Sequence, residues 1–82
     1  MPEPATTESL TDIVAAVLGV DPTDVHDRSG PATLSGWTSL KHVELVVRLE
    51  QSYQVRFSHQ EIVAFTTVEA VREALRLKGV AV

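Results

Sequence analysis

One junction organises this chain: Leu34-Ser35-Gly36-Trp37-Thr38-Ser39-Leu40, where a polar loop gives way to a long apolar segment. A serine at such a junction can cap a helix by accepting a hydrogen bond from a backbone N–H of the first turn. The same position holds the hydroxyl at the surface of the domain. The local sequence favours Ser39 as a cap, and it leaves open a second interpretation, in which the hydroxyl is a point of attachment for another group.

Downstream of the junction, the spacing of apolar residues predicts a second helix from Ser39 or Leu40 to Tyr53. Its apolar stripe is broad, so we expect this helix to be central and to pack on several neighbours. The side that is predicted to face the core contains Leu40, Val43, Val46, Val47 and Tyr53. Two further residues, Leu45 and Leu49, widen this stripe.

Two capping boxes predict the remaining helices. The box Ser58–Glu61 begins a short third helix, after an extended link whose Val55 and Phe57 point inward. The box Thr66–Glu69 begins a fourth helix, whose basic end and following Gly79 agree with helix-terminal preferences. The apolar residues assigned to this fourth helix are Val68, Val71, Ala74, Leu75 and Leu77.

Upstream of the junction, periodicity predicts a first helix from Thr7 to Leu18, with Gly19 as its stop. Residues 19–38 then form a loop, with a turn at residues 21–24, whose length marks either a functional segment or an undetected element. Four apolar side chains are expected to pin this loop to the core: Val20, Val25, Leu34 and Trp37.

The predicted fold is therefore all-α, an irregular four-helix bundle with a long first loop and a short third helix. We expect residues 1–6 to be a flexible leader, residues 7–79 the domain, and residues 80–82 a short tail. The starting Met1 and the end soon after Gly79 favour a complete small protein.

Composition excludes several classes of function. The chain has 82 residues and no cysteine, which excludes disulfides, thiolate catalysis and a cysteine metal site. A net charge of −4 with only seven scattered basic residues argues against nucleic acid. No apolar run approaches the roughly 20 residues that span a bilayer, and no secretory signal is present, so we expect a cytoplasmic protein that does not contact membranes.

Three other kinds of site are weaker alternatives. A hydrolase built on Ser39 and His42 lacks a nucleophile-elbow pattern and a pocket, and His42 is expected to be a partly exposed helix residue. His26, His42 and His59 lie in separate segments without metal-ligand spacing, so we expect no metal. The glycines of the loop lack a phosphate-loop lysine. Trp37 is interpreted as an anchor that holds the loop to the core.

The stretch Gly36-Trp37-Thr38-Ser39-Leu40, the helix Val43–Glu50 and the segments Val55–Ser58 and Glu61–Ile62 resemble an acyl carrier protein. The resemblance is clearest over residues 34–65. It implies a four-helix bundle that carries 4′-phosphopantetheine, derived from coenzyme A, on a serine at the start of the second helix. By position that serine is Ser39. Acyl intermediates are then held as thioesters while partner enzymes act on them, and the carrier itself is not an enzyme.

The resemblance also implies partners: a phosphopantetheinyl transferase, and acyl-processing enzymes such as an acyltransferase or a ketosynthase, which meet a carrier that is a monomer. The family commonly has an aspartate immediately before the modified serine, where this chain has Thr38. Together with the mixed charges of the second helix, this departure favours a polyketide or hybrid natural-product pathway. The residues expected to recognise partners are Trp37, Thr38, Leu40, Lys41, Glu44 and Ile62.

Two alternatives stay open. A peptidyl carrier of a nonribosomal pathway shares the fold and the serine, and an unmodified helical interaction module would use Ser39 only as a cap. Val43, Val47 and Ile62 are expected to line a space between helices, and an ordinary core is the favoured interpretation of that space.

Overall fold

The computed structural model describes residues 9–82, and within that range the chain folds into four α-helices. They are α1 (Leu10–Leu18), α2 (Ser39–Tyr53), α3 (His59–Val63) and α4 (Val68–Leu77). The predicted all-α class, the long first connection and the short third helix are confirmed. The expected leader and the helix start at Thr7 lie outside the described residues. Ser9 has extended backbone angles and its side chain accepts a hydrogen bond from the Asp12 N–H, so α1 begins at Leu10.

The first loop contains an element that the sequence did not reveal. Residues Pro22–Asp24 form a short 3-10 helix where a turn was predicted. The Asp21 carboxylate accepts hydrogen bonds from the Thr23 N–H at 2.9 Å and from the Thr23 hydroxyl at 2.8 Å. The backbone bond and then the hydroxyl bond lower the pKa of Asp21. Val25 and Trp37 are buried and Val20 and Leu34 half-buried, as predicted for a pinned loop.

The loop is fastened to the start of α4 by its own backbone. The Ser29 carbonyl accepts from the Val68 N–H at 2.8 Å, and the Asp27 carbonyl accepts from the Glu69 N–H at 2.9 Å. Thr67 caps α4 by accepting from the Ala70 N–H. The capping box predicted at Thr66–Glu69 is therefore wrong, and the cap lies one residue later. The Glu69 N–H that the box would have served donates to the Asp27 carbonyl of the loop, and the Thr66 N–H donates to the Ala64 carbonyl.

A single apolar core joins α1, α2 and α4, and the half-buried Ile62 of α3 packs against it. From α2 it takes Leu45, Val46 and Leu49, whereas Leu40, Val43 and Val47 are 66%, 58% and 47% exposed. The predicted core side of α2 is thus confirmed for Val46 and the half-buried Tyr53, and wrong for the three exposed residues. Leu45 and Leu49, which were predicted only to widen the stripe, are fully buried. The buried apolar residues are Leu10, Ile13, Val14, Ala15, Leu18, Val25, Trp37, Leu45, Val46, Leu49, Phe57, Phe65, Val68, Val71 and Leu75.

Three of the helix ends follow the predicted chemistry. Gly19 and Gly79 take the left-handed backbone conformation after α1 and α4, with φ of 72° and 88°. Ser58 and Glu61 form the complete capping box predicted for α3. Leu77, which was assigned to the apolar face of α4, is 79% exposed, because the last inward position of that helix is Leu75.

Candidate attachment site

Ser39 is the first residue of α2, and Thr38 rather than Ser39 is the cap. The Thr38 hydroxyl accepts from the Lys41 N–H at 3.2 Å, and Thr38 has the extended backbone of a cap, with φ of −83° and ψ of 174°. Ser39 is exposed and its hydroxyl forms no hydrogen bond within residues 9–82. The interpretation of Ser39 as a helix cap is therefore wrong, and its hydroxyl is free for chemistry.

The start of α2 is electrostatically suited to an anion next to Ser39. The N–H groups of Ser39 and Leu40 have no partner in the helix, because an α-helix leaves its first N–H groups unpaired. The helix is 15 residues long and has no acidic residue in its first turn. Its partial positive charge at this end favours a phosphate.

An apolar hollow of about 290 Å³ lies beside Ser39, between the loop, α2 and α3. Its floor includes the rings of Trp37 and Phe65, which belong to the core. Ser39 lies on its border and no Asp, Glu, Lys or Arg lines it. The lining residues are Pro31, Trp37, Thr38, Ser39, His42, Ile62, Val63, Phe65 and Thr66.

Hydrogen bonds link three of the residues that line this hollow and form a bridge between them. The Trp37 indole Nε1–H donates to His42 Nδ1 at 2.9 Å, and His42 Nε2 lies 2.8 Å from the Ile62 carbonyl oxygen. Since the indole nitrogen only donates, Nδ1 must accept, and Nε2–H then donates to the carbonyl. Trp37 is 3% exposed, which confirms its predicted role as an anchor. His42 is half-buried, but no sequence signal indicated that it links α2 to α3.

The same bridge argues against a Ser39–His42 hydrolase. A general base needs a free nitrogen within hydrogen-bond reach of the nucleophile. Both nitrogens of His42 are already engaged, one with Trp37 and the other with Ile62. His42 therefore has a structural role in this site.

The residues expected to recognise partners occupy different environments. Leu40 is 66% exposed, and Lys41 pairs with Glu44 at 3.3 Å on the outer face of α2. Ile62 is half-buried at the border of the hollow. Trp37 is buried, so its ring can influence a partner only by holding the loop in place.

Val43 and Val47 do not line one space together with Ile62, contrary to the prediction from the sequence. These two residues lie with Val17 in an open surface groove of about 510 Å³ between α1 and α2. Ile62 lines the separate hollow beside Ser39. The interpretation of the three as one ordinary core is wrong, because α2 turns a different stripe inward.

Neither a metal centre nor a membrane span emerges from the described part of the chain. Within residues 9–82, no three potential ligands among His, Cys, Asp and Glu come together. No helix in the same range has the length and apolar character needed to cross a membrane.

Comparison with known proteins places this site in a family. Residues 8–75 match the family described as "Phosphopantetheine attachment site", and this span includes Ser39. The chain therefore belongs to that family. It is similar to "Polyketide-8 synthase acyl carrier protein 2" of Streptomyces avermitilis, with 35% identity over an alignment that covers 95% of this chain and 94% of that protein.

The site fits the prosthetic group that the family carries. A hydroxyl that is exposed and unbonded can form a phosphodiester, and the unpaired N–H groups of α2 lie beside it. The adjacent hollow offers apolar surface to a flexible arm.

Proposed function

We propose that this protein is an acyl carrier protein of polyketide biosynthesis, with 4′-phosphopantetheine attached to Ser39. The observation that carries the assignment of the residue is the free hydroxyl at the first position of α2, within the span that matches the family. The similarity to a polyketide synthase carrier supports the choice of pathway over a peptidyl carrier.

The bound group supplies a long arm ending in a thiol, on which acyl groups are held as thioesters. The chain's own residues position and present that arm. Thr38 fixes the start of α2 through its capping bond, and the unpaired N–H groups of the first turn offset the charge of the phosphodiester. Tethering raises the effective concentration of cargo at each partner enzyme, so the carrier needs no catalytic group of its own.

The proposed partners are a phosphopantetheinyl transferase and acyl-processing enzymes such as an acyltransferase or a ketosynthase. They would meet the start of α2, where Leu40 is exposed, Lys41 and Glu44 form a charged pair, and Ile62 borders the hollow. Charges at such a rim chiefly set encounter rate and partner choice. We propose that the carrier works as a monomer in the cytoplasm.

Intact-mass measurement tests the attachment site. The unmodified protein is incubated with coenzyme A and a permissive phosphopantetheinyl transferase. We expect wild type and Ser35→Ala, which removes an exposed serine four residues away, to gain the mass of one phosphopantetheine. Ser39→Ala should gain none. Absence of a gain in wild type with several transferases would favour the unmodified interaction module, and a gain in Ser39→Ala would move the site elsewhere.

A further inference from the structure

The seam between α2 and α3 is closed by a polar bridge in an otherwise apolar setting. Trp37, on the loop, and the Ile62 carbonyl, on α3, are joined through the two nitrogens of His42 on α2. The His42 ring also lies against two aromatic rings, with centroid separations of 6.0 Å to Trp37 and 6.3 Å to Phe65. The side chain of His42 therefore links three segments of the chain: the first loop, α2 and α3.

The three residues of this bridge line the hollow beside Ser39, and Trp37 also belongs to the buried core, against which Ile62 packs. The interior of the bundle contains Leu45, Leu49 and Leu75, all of which are fully buried. An aliphatic chain entering between α2 and α3 would have to part His42 from Ile62 or from Trp37. An alkyl chain offers no hydrogen bond in return, so the buried indole N–H or the imidazole would be left unpaired, which is costly in a dry site.

We infer that the Trp37–His42–Ile62 bridge closes the bundle interior to aliphatic cargo, so that an acyl group carried through Ser39 stays at the outer hollow. His42 is a positioning residue in this arrangement. The inference rests on the proposed attachment at Ser39, but the bridge itself can be tested in the unmodified chain.

The first part of the test follows Trp37, the single tryptophan of the chain, in the unmodified protein. Its indole N–H gives one signal in a proton–nitrogen NMR spectrum. We expect this signal to move in His42→Leu, because the variant removes the nitrogen that accepts the indole N–H. It should keep its position in His59→Leu, which removes an exposed histidine of α3. An indole signal that is the same in His42→Leu as in wild type would overturn the bridge.

The second part loads Ser39 with an octanoyl arm, using octanoyl-coenzyme A and a permissive transferase, and compares backbone amide shifts with those of the protein bearing the free arm. In wild type at neutral pH, changes should be confined to the lining of the hollow. In His42→Leu they should extend to Leu45, Leu49 and Leu75. Trp37→Phe removes the donor and serves as a second variant if His42→Leu does not fold.

Equal changes at those core leucines in neutral wild type and in His42→Leu would overturn the inference, as would changes confined to the hollow in both. Failure to load wild type, seen as no gain in mass, would instead overturn attachment at Ser39 and with it the statement about cargo. The indole signal of the unmodified protein distinguishes that failure from a failure of the bridge.

Discussion

At the scale of single residues, the neighbouring hydroxyls of Thr38 and Ser39 at the start of α2 have different roles. Thr38 has the extended backbone that lets its side chain reach the Lys41 N–H, whereas Ser39 is already helical and its hydroxyl faces outward. The fold is thus stabilised by one hydroxyl and leaves the other for chemistry. Modification of Ser39 consequently does not remove the cap of the helix that presents it.

This separation predicts a difference between two alanine variants. Thr38→Ala should lower the free energy of unfolding by about 1 kcal/mol, the usual worth of a helix cap. Ser39→Ala should change it by less than about 0.5 kcal/mol, as for an exposed position without a bond. Urea denaturation of the two unmodified variants measures both. A larger loss for Ser39→Ala than for Thr38→Ala would contradict the assignment of the cap.

Gly30 is a second residue with a specific steric task. A methyl group on its Cα would lie 1.9 Å from the Thr66 carbonyl oxygen, which is backbone and cannot move aside cheaply. Gly30→Ala should therefore destabilise the fold by about 1–3 kcal/mol, the usual range for overpacking. Gly36→Ala is the matched control, because its methyl would meet only the Leu18 carbonyl at 3.8 Å. Thermal denaturation showing equal losses for both would refute the close approach.

At the scale of elements, the sequence predicted the helices better than their orientation. The spacing of apolar residues predicted α2 correctly, and the capping residue Ser58 predicted α3 correctly, because both signals are local. The side of α2 that faces the core was not predictable, because apolar residues lie around most of that helix. Packing against the other helices determines which of them are buried. The bridge of His42 depends on α3 arriving from 20 residues away, a juxtaposition without a local signature.

The short α3 depends on one carboxylate that serves two purposes. Glu61 accepts from the Ser58 N–H at 2.7 Å and pairs with Lys78, at the end of α4, at 3.1 Å. The backbone bond first, and then the bond from Lys78, lower the pKa of Glu61 below its ordinary value of 4.5. Its contribution to stability is therefore complete above pH 4.5 and is lost as the pH falls through the lowered pKa.

Glu61→Gln tests this dependence. The amide can still accept from Ser58 but carries no charge for Lys78, so the variant should be less stable than wild type at neutral pH. The difference should shrink as acid protonates Glu61 in wild type. Denaturation midpoints between pH 7 and pH 3 measure it, with Glu73→Gln, an exposed glutamate of α4, as control. A difference that is constant with pH would count against the pairing.

At the scale of the whole molecule, stability is unevenly distributed. The helix α3 has five residues and none of them is buried, whereas α1, α2 and α4 each place three or more residues in the core. Its attachments are the capping box, the pair of Glu61 with Lys78, the bond from His42 to Ile62, and the burial of Phe65 just beyond its end. The side of the hollow that α3 forms is thus the side with the fewest attachments to the core.

Hydrogen exchange should reveal this difference. Few buried contacts mean local opening at low free energy, so amides of α3 should exchange at least about tenfold faster than those at the centre of α2. Residue-resolved exchange by NMR measures both in one sample. Protection of α3 equal to that of α2 would show that the bundle opens only as one unit.

The fastening of the first loop to α4 also determines where this chain can lengthen. Residues 27–30 are fixed in register by the bonds from Val68 and Glu69 and by the approach of Gly30 to Thr66. Ser35 and Gly36 lie in an exposed turn with no such bonds to α4. An inserted segment, such as a peptide tag, would therefore be accommodated at residues 35–36, and the same insertion at residues 27–30 would detach α4 from the loop that holds its first turn.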